Sequence, residues 1–218
     1  MLIIFGGWPG HDPAATSAYF EQLLTADGHT VTRVNDLSIS DDLDYLKSFD
    51  LLVVHWTRGE LSPERFNNIS AAVAAGTGLA GVHGGLLSAF QNNKKWLWLT
   101  GGCFVAHPGG VHTHYTVNIQ DSQHTIMRGL KDFTLTTEQY YCLTDSAIHV
   151  LATTDFAAQD EPNATNPQPI KLPVAWTKQW GKGRIFYHTL GHDLQICQQP
   201  EVSRLTRQGF AWALRQPE

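Results

Sequence analysis

Sulfur is scarce in this chain of 218 residues, which has three cysteines and two methionines. Cys103, Cys142 and Cys197 form no Cys-x-x-Cys pair and, being odd in number, cannot all be bridged. Buried free thiols in a reducing cytoplasm are the expectation, and no cysteine sits in a recognisable metal-ligand pair. Positive charge is also thin: 15 Lys and Arg stand against 20 Asp and Glu, a net charge of −5 with histidines neutral. No run of Lys or Arg exceeds two residues, which argues against nucleic acid or an anionic membrane surface as partner. No apolar run approaches the length that spans a bilayer. Met1–Phe5 lacks a basic leader and a long apolar core, so it reads as a first strand and not as a signal peptide. Gly-x-Gly-x-x-Gly and Walker patterns are absent, and Gly6-Gly7 is too short to cradle a phosphate, so no nucleotide cofactor is expected.

What the chain does have is apolar content for a large core, at 42% hydrophobic residues, and 11 histidines. The length suits one α/β domain over residues 1–218. Histidine is the side chain best suited to proton transfer and metal binding near neutral pH. Some of the eleven are expected to be surface residues, among them His29, His124 and His149.

The most informative stretch is Gly78–Gly85, Gly-Leu-Ala-Gly-Val-His-Gly-Gly. Its apolar run is too short for a helix and reads as a buried strand. A strand that turns through glycines into a helix aims the bend residue, His83, outward at the carboxyl edge of a parallel sheet. Around it the first half alternates strand and helix. Strands are expected at Leu2–Phe5, Thr30–Val34, Leu51–Val54 and Leu79–Val82. Helices are expected after Asp12-Pro13 and Ser62-Pro63, each a cap followed by proline at the first helical position, then from Asp41-Asp42 and at Leu86–Phe90. That alternation argues a doubly wound parallel sheet. Beyond Phe90 the pattern predicts a short helix at Trp96–Leu99. It then gives strands at His112–Ile119, Phe133–Glu138 and Ala147–Thr153, a hairpin of Leu172–Lys178 with Arg184–Leu190, and a closing helix over Pro200–Leu214. The polar, proline-containing stretch Asp155–Pro169 is expected to be an exposed loop.

In a sheet wound this way, the loops after strands one, three and four lie along one edge. They carry Trp8 and His11, then His55 and Arg58, then His83. The second half adds His107, Glu138 and Tyr140, and His192-Asp193 after the last strand. A carboxylate at Glu138 can orient an imidazole or act as a base, although a solvated strand end would look the same. His192-Asp193 by itself reads as a loop histidine beside a capping aspartate. His112-Thr113-His114 places two histidines at i and i+2, on one face if the segment is a strand, but lacks a third ligand at a diagnostic spacing. No residue is assigned as a metal ligand on this basis.

These motifs together resemble the ThuA family, named for trehalose utilisation. The resemblance is carried by Gly6-Gly7 with His11, Thr57-Arg58-Gly59-Glu60-Leu61, Gly81-Val82-His83-Gly84, Gly101-Gly102 with His107-Pro108, and Thr137-Glu138-Gln139-Tyr140. Pro173–Trp176, Gly181–Tyr187 and Leu190-Gly191-His192-Asp193 complete it. It implies a class I glutamine amidotransferase-like, flavodoxin-like fold: a doubly wound, mostly parallel sheet with helices on both faces and added antiparallel strands in the second half. The related glutaminases carry a nucleophilic cysteine at the elbow. Here His83 holds that place, and imidazole is a poor substitute for a thiol in thioester formation, so glutaminase activity is not expected.

The resemblance further implies a cytoplasmic carbohydrate-processing protein, working by acid–base chemistry on a disaccharide or a keto-sugar. His83, Glu138 and His192 would be the catalytic groups, and Trp8, His11, His55, Arg58, His107, Tyr140 and Asp193 would bind the sugar. Two alternatives stand beside it. One is a non-catalytic sugar-binding or regulatory module. The other is a zinc-dependent hydrolase using His83, His107, His192 or the His112/His114 pair. A small-molecule carbohydrate is the expected partner, and self-association into a homo-oligomer is left open.

Overall fold

The computed structural model describes residues 1–157, 159–161, 164–166 and 168–216. In chain order the first half runs β1 (Leu2–Gly7), α1 (Pro13–Ala26), β2 (Thr32–Val34), α2 (Leu43–Lys47), β3 (Leu51–Thr57), α3 (Pro63–Ala74), β4 (Gly78–Val82), α4 (Gly84–Leu87) and α5 (Lys94–Thr100). The second half runs β5 (Gly102–Ala106), β6 (His114–Ile119), β7 (Phe133–Thr136), β8 (Tyr141–Thr144), β9 (His149–Phe156), β10 (Gln159–Glu161), β11 (Ala164–Asn166), β12 (Ile170–Trp180), β13 (Gly183–His188), α6 (Leu194–Cys197) and α7 (Pro200–Ala213).

Among the described residues the main sheet has the order β2-β1-β3-β4-β13-β12-β9-β6-β7. The pairs from β2 through β13 are parallel, and β12, β9, β6 and β7 add antiparallel pairs beyond them. The parallel part has the 2-1-3-4-5 order of flavodoxin-like folds, which place ligands outside the carboxyl ends of the strands.

The strands are apolar because both faces are covered. Along β1, Ile3 faces one core with Val53, Val82 and Phe186, while Leu2 and Ile4 face the other with Leu52, Leu79 and Tyr187. Successive side chains leave a strand on opposite faces, so a strand buried on both sides has no polar alternation. Helices α1 and α7 close the first core through Phe20, Leu205 and Phe210, and α3 closes the second through Phe66 and Ile69. The caps work as the sequence suggests: Asp12 accepts from the Ala15 amide and Ser62 from the Arg65 amide.

Four expectations are corrected. The helix after the elbow stops at Leu87, because Ala89 leaves it to bridge Arg58 and Phe90 turns to φ 49°. A two-stranded sheet of β5 and β8 occurs where no strands were expected. Within Asp155–Pro169, β10 and β11 form a two-stranded ladder instead of a plain loop, and residues 158, 162, 163 and 167 lie outside the described residues. His112 belongs to a single 3-10 turn at Gly110–His112 and only His114 enters the strand, so the two do not share a strand face. No helix among the described residues is long and apolar enough to cross a membrane.

Candidate active site

The turn between β4 and α4 is strained in the way an elbow requires. His83 has φ 50° and ψ −132°, a region that costs a non-glycine residue about 1–3 kcal/mol and persists only where neighbours enforce it. The neighbours come from one strand end. The His83 amide donates to the His188 carbonyl at 2.8 Å, the Tyr187 hydroxyl donates to the His83 carbonyl at 2.5 Å, and the ring Nδ1 reaches the Thr189 carbonyl at 2.8 Å. A carbonyl only accepts, so Nδ1 carries the proton, and in the neutral ring Nε2 is left as a lone pair. The two glycines that follow are there for room. A Cβ on Gly84 would lie 2.5 Å from the His11 ring, and one on Gly85 would lie 2.6 Å from the His55 ring.

Around this elbow the chain assembles a cluster from four separate segments. His11, from the β1 loop, lies with its ring 4.7 Å from that of His83 and pairs its Nδ1 with the Thr57 hydroxyl at 3.0 Å. Glu138, just after β7, brings Oε2 to 3.1 Å from His83 Nε2 and 3.3 Å from His192 Nδ1. His107 Nε2 lies 3.6 Å from the other carboxylate oxygen. The Tyr140 hydroxyl stands 2.8 Å from His83 Nε2. Neither Glu138 Oε2 nor His192 Nδ1 has an aligned hydrogen-bond partner, although both are buried atoms. They are held close by charge and by packing.

Burial and charge split the members electrically. Burial lowers the His83 pKa, against the opposing pull of Glu138 and the Thr189 carbonyl. Burial together with the His83 and His192 rings lowers that of His11 to about 3. Burial alone would raise the Glu138 carboxyl, but the facing His192 and His83 rings outweigh it and hold the group well below the usual carboxylate range. His192 moves the other way: the Glu138 carboxylate beside it raises its pKa over the opposing effect of burial. The result is a neutral imidazole at the base of the cleft, an ionised carboxylate, and an imidazole that holds a proton more readily at the mouth.

The expected site residues therefore divide into two groups. His83, His11, Glu138, His192, His107 and Tyr140 meet around one point. Trp8 and Arg58 form a wall beside it, with the Trp8 ring 4.8 Å from that of His11 and the Arg58 guanidinium stacked at 4.7 Å over Trp8. His55 does not reach the cleft. Strand β3 continues past Val54 to Thr57, which keeps His55 on a buried strand face, edge-on to Phe20 and under the elbow, with both ring nitrogens unpaired. Asp193 caps α6 through the Ile196 amide and, next to His192, lines the groove that opens beside the cluster. His114 pairs with the Thr136 hydroxyl on an exposed edge. The residues missed from sequence are those that hold others in place: Thr57, Tyr187 and the Thr189 carbonyl. Thr57 opens the Thr-Arg-Gly-Glu-Leu motif and was visible; the other two act through contacts that only the fold creates. Next to His192 a groove of about 370 Å³ opens, lined by Thr134, Thr136, Thr137, Gln195 and Gln199 among others.

A flavodoxin-like parallel sheet carrying a strained histidine elbow, with a carboxylate and further imidazoles closing over it, defines an α/β protein with a candidate site at the strand ends. A family model described as trehalose utilisation, ThuA, matches residues 1–213, and the chain belongs to that family. Among solved structures it is similar to a ThuA-like protein from Parabacteroides merdae, with a TM-score of 0.75 and 19% identity over 100% of this chain and 91% of that one. A ThuA-like protein from Bacteroides uniformis gives a TM-score of 0.75 at 16% identity, over 97% of this chain and 89% of that one. A Salmonella typhimurium protein described as cytoplasmic gives 0.64 at 11% identity, over 92% and 88%. At these identities the likeness is one of fold. No curated protein matches the chain.

Proposed function

We propose that this protein is a cytoplasmic carbohydrate-processing enzyme of the trehalose-utilisation type, moving protons on a disaccharide or keto-sugar at the His83–Glu138–His192 cluster. One observation carries the reading: two imidazoles flank a single carboxylate with their pKa values pushed apart, His83 down and His192 up. Opposed shifts in neighbouring titratable groups are how a site obtains a base and an acid at one pH. His83 Nε2 is the proton acceptor in this reading, His192 the donor, and Glu138 the charge that holds the pair. Tyr140 and His107 border the reacting position, and Trp8 with Arg58 offers a flat, cationic wall against which a sugar ring and its hydroxyls pack. The polar groove beside His192 is within the size range of small-molecule sites, about 300–1,000 Å³.

The test is turnover of oxidised and unoxidised disaccharides by the wild type, His83→Ala and His192→Ala. Loss of a general acid or base removes about 10²–10⁴-fold in rate, so each variant should fall by at least that. Unchanged turnover in His83→Ala removes the residue from the mechanism. A second reading, a sugar-binding module without chemistry, is favoured by the depth of the cluster, since His83 is 1% exposed. Calorimetric binding of a disaccharide with no turnover of any form would favour it. Self-association is supported by the exposed apolar side chains Trp98, Val105 and Leu143 on α5, β5 and β8. A monomer mass by light scattering at micromolar concentration would withdraw it.

A further inference from the structure

Between His83 and Glu138 the structure holds an unsettled contact. His83 Nδ1 must donate to the Thr189 carbonyl, so the Nε2 lone pair of the neutral ring, which the Tyr140 hydroxyl reaches at 2.8 Å, also lies 3.1 Å from a carboxylate oxygen. Two acceptors at that distance repel unless a positive charge lies between them. Protonating His83 would supply one, but the ring is 1% exposed and burial works against its charged form. His192 Nδ1 and Glu138 Oε2 are likewise buried and unpartnered while facing each other at 3.3 Å. His11 has its Nδ1 taken by Thr57, which leaves Nε2 as the atom it can offer.

We infer that His11, His83, Glu138 and His192 form a binding centre for one divalent transition-metal ion of the zinc type. The four residues each offer one ligand atom, and these atoms all lie within 4.8 Å of one another. A tetrahedral zinc ion with bonds of about 2.0–2.1 Å needs its ligand atoms about 3.3–3.4 Å apart. The separations of 3.1 and 3.3 Å at Glu138 already meet that, and the widest pair needs closure by at most about 1.5 Å. The outer contacts are those a metal-bound imidazole uses. A second partner on the far nitrogen fixes the ring, here the Thr189 carbonyl for His83 and the Thr57 hydroxyl for His11. Three imidazoles and one carboxylate suit zinc and its first-row neighbours, and are a poor set for magnesium or calcium. The Tyr140 hydroxyl, 2.8 Å from His83 Nε2, must turn aside on loading. Among the described residues no other group of three or more His, Cys, Asp or Glu has this geometry.

For its relevance to turnover the inference rests on the proposed reading of this cleft. Loading would commit His83 and His192 as ligands, in place of the acceptor and donor roles proposed for them in the metal-free cleft. Metal binding itself is read without any substrate. The full chain, purified without an affinity tag and stripped with chelator, is titrated with zinc chloride under competition from a chromophoric chelator. Cobalt chloride in a second titration reports coordination by its visible absorption. The expected result is one equivalent per chain, a visible cobalt band of four- or five-coordinate type, and a raised melting temperature. Glu138→Gln and His192→Ala should each weaken binding by at least 100-fold while circular dichroism stays unchanged. Thr57→Val, acting only through His11, should weaken it about 10–100-fold. His112→Ala/His114→Ala should bind as wild type. Less than a tenth of an equivalent bound by wild type, or equal affinity in wild type and Glu138→Gln/His192→Ala, overturns the inference. Tight, variant-sensitive binding without sugar turnover would leave the centre standing and remove the enzymatic reading; turnover by stripped, metal-free protein that binds no zinc would do the reverse.

Discussion

Replacing Gly84 by alanine is the most direct perturbation of the site that touches no polar group. Gly84 is the first residue of α4, where alanine would favour the helix by about 1 kcal/mol. Against that, the new Cβ would lie 2.5 Å from His11 Cε1, 2.7 Å from its Nδ1 and 2.9 Å from Thr57 Oγ1. Ordinary contact is about 3.4 Å or more, so the His11 ring must retreat by nearly an ångström, and overpacking of this kind costs about 1–3 kcal/mol. The net destabilisation is therefore small, about 0–2 kcal/mol, while the geometry at the cluster changes by an amount that costs about 100-fold where reacting groups must be aligned. Urea denaturation, turnover and metal titration on Gly84→Ala, His11→Ala and the double variant separate the effects. Removing the imidazole relieves most of the clash, so Gly84→Ala should be close to neutral or stabilising in the His11→Ala background. The coupling between the two is expected at about 1–3 kcal/mol. Strictly additive stabilities, or wild-type turnover and metal affinity in Gly84→Ala, would show that His11 does not sit where the elbow needs a glycine.

Two further outcomes follow from the same coordinates. The thiols should separate by burial: burial pushes Cys142 up and Cys197 up to about 12, while Cys103 is half-buried. Ellman's reagent should titrate one thiol per native chain quickly and the other two only on unfolding; three fast thiols would refute the packing around β8 and α6. Asp145 is held below the ordinary carboxylate range by the Lys178 ammonium at 2.5 Å, with the Ala147 amide adding to it. A lowered folded-state pKa contributes stability that is present above the unfolded value, about 3.9, and is lost as pH falls through the folded value. Asp145→Asn should thus be less stable than wild type at pH 7, and the gap should close in acid; a gap that is constant down to pH 2 would exclude the ion pair as its source.

The parallel half of the fold was legible because its strands are buried on both faces and its helices carry strong caps. Leu51–Val54 and Leu79–Val82 have no polar alternation to misread, and Asp12-Pro13 and Ser62-Pro63 mark helix starts within a residue. The meeting of His11, His83, Glu138 and His192 was legible from loops that share an edge, which topology alone delivers. Detail failed where a local signal was ambiguous. Strands β5 and β8 expose Val105 at 49% and Leu143 at 61%, so their apolar residues do not sort by face and give no clear period. His55 was expected in a loop because Val54 ends the aliphatic run, yet Trp56 and Thr57 extend the strand and leave the imidazole inside. For His112 and His114, spacing alone could not show that the chain turns between them. The strand reading of Ala147–Thr153, by contrast, erred only in its ends.

The three successive residues Tyr187, His188 and Thr189 each grip a different part of His83: its carbonyl, its amide and its ring. The consequence is a division of labour for anyone who wishes to remodel this protein. The elbow travels with the β4–β13 pair and keeps its pose whatever is stitched on around it. Glu138, His107 and His192 arrive on connecting segments that can be exchanged. New specificities should therefore be sought by swapping those segments onto an untouched strand pair, and a graft that also alters Tyr187 should lose the site before it gains a ligand.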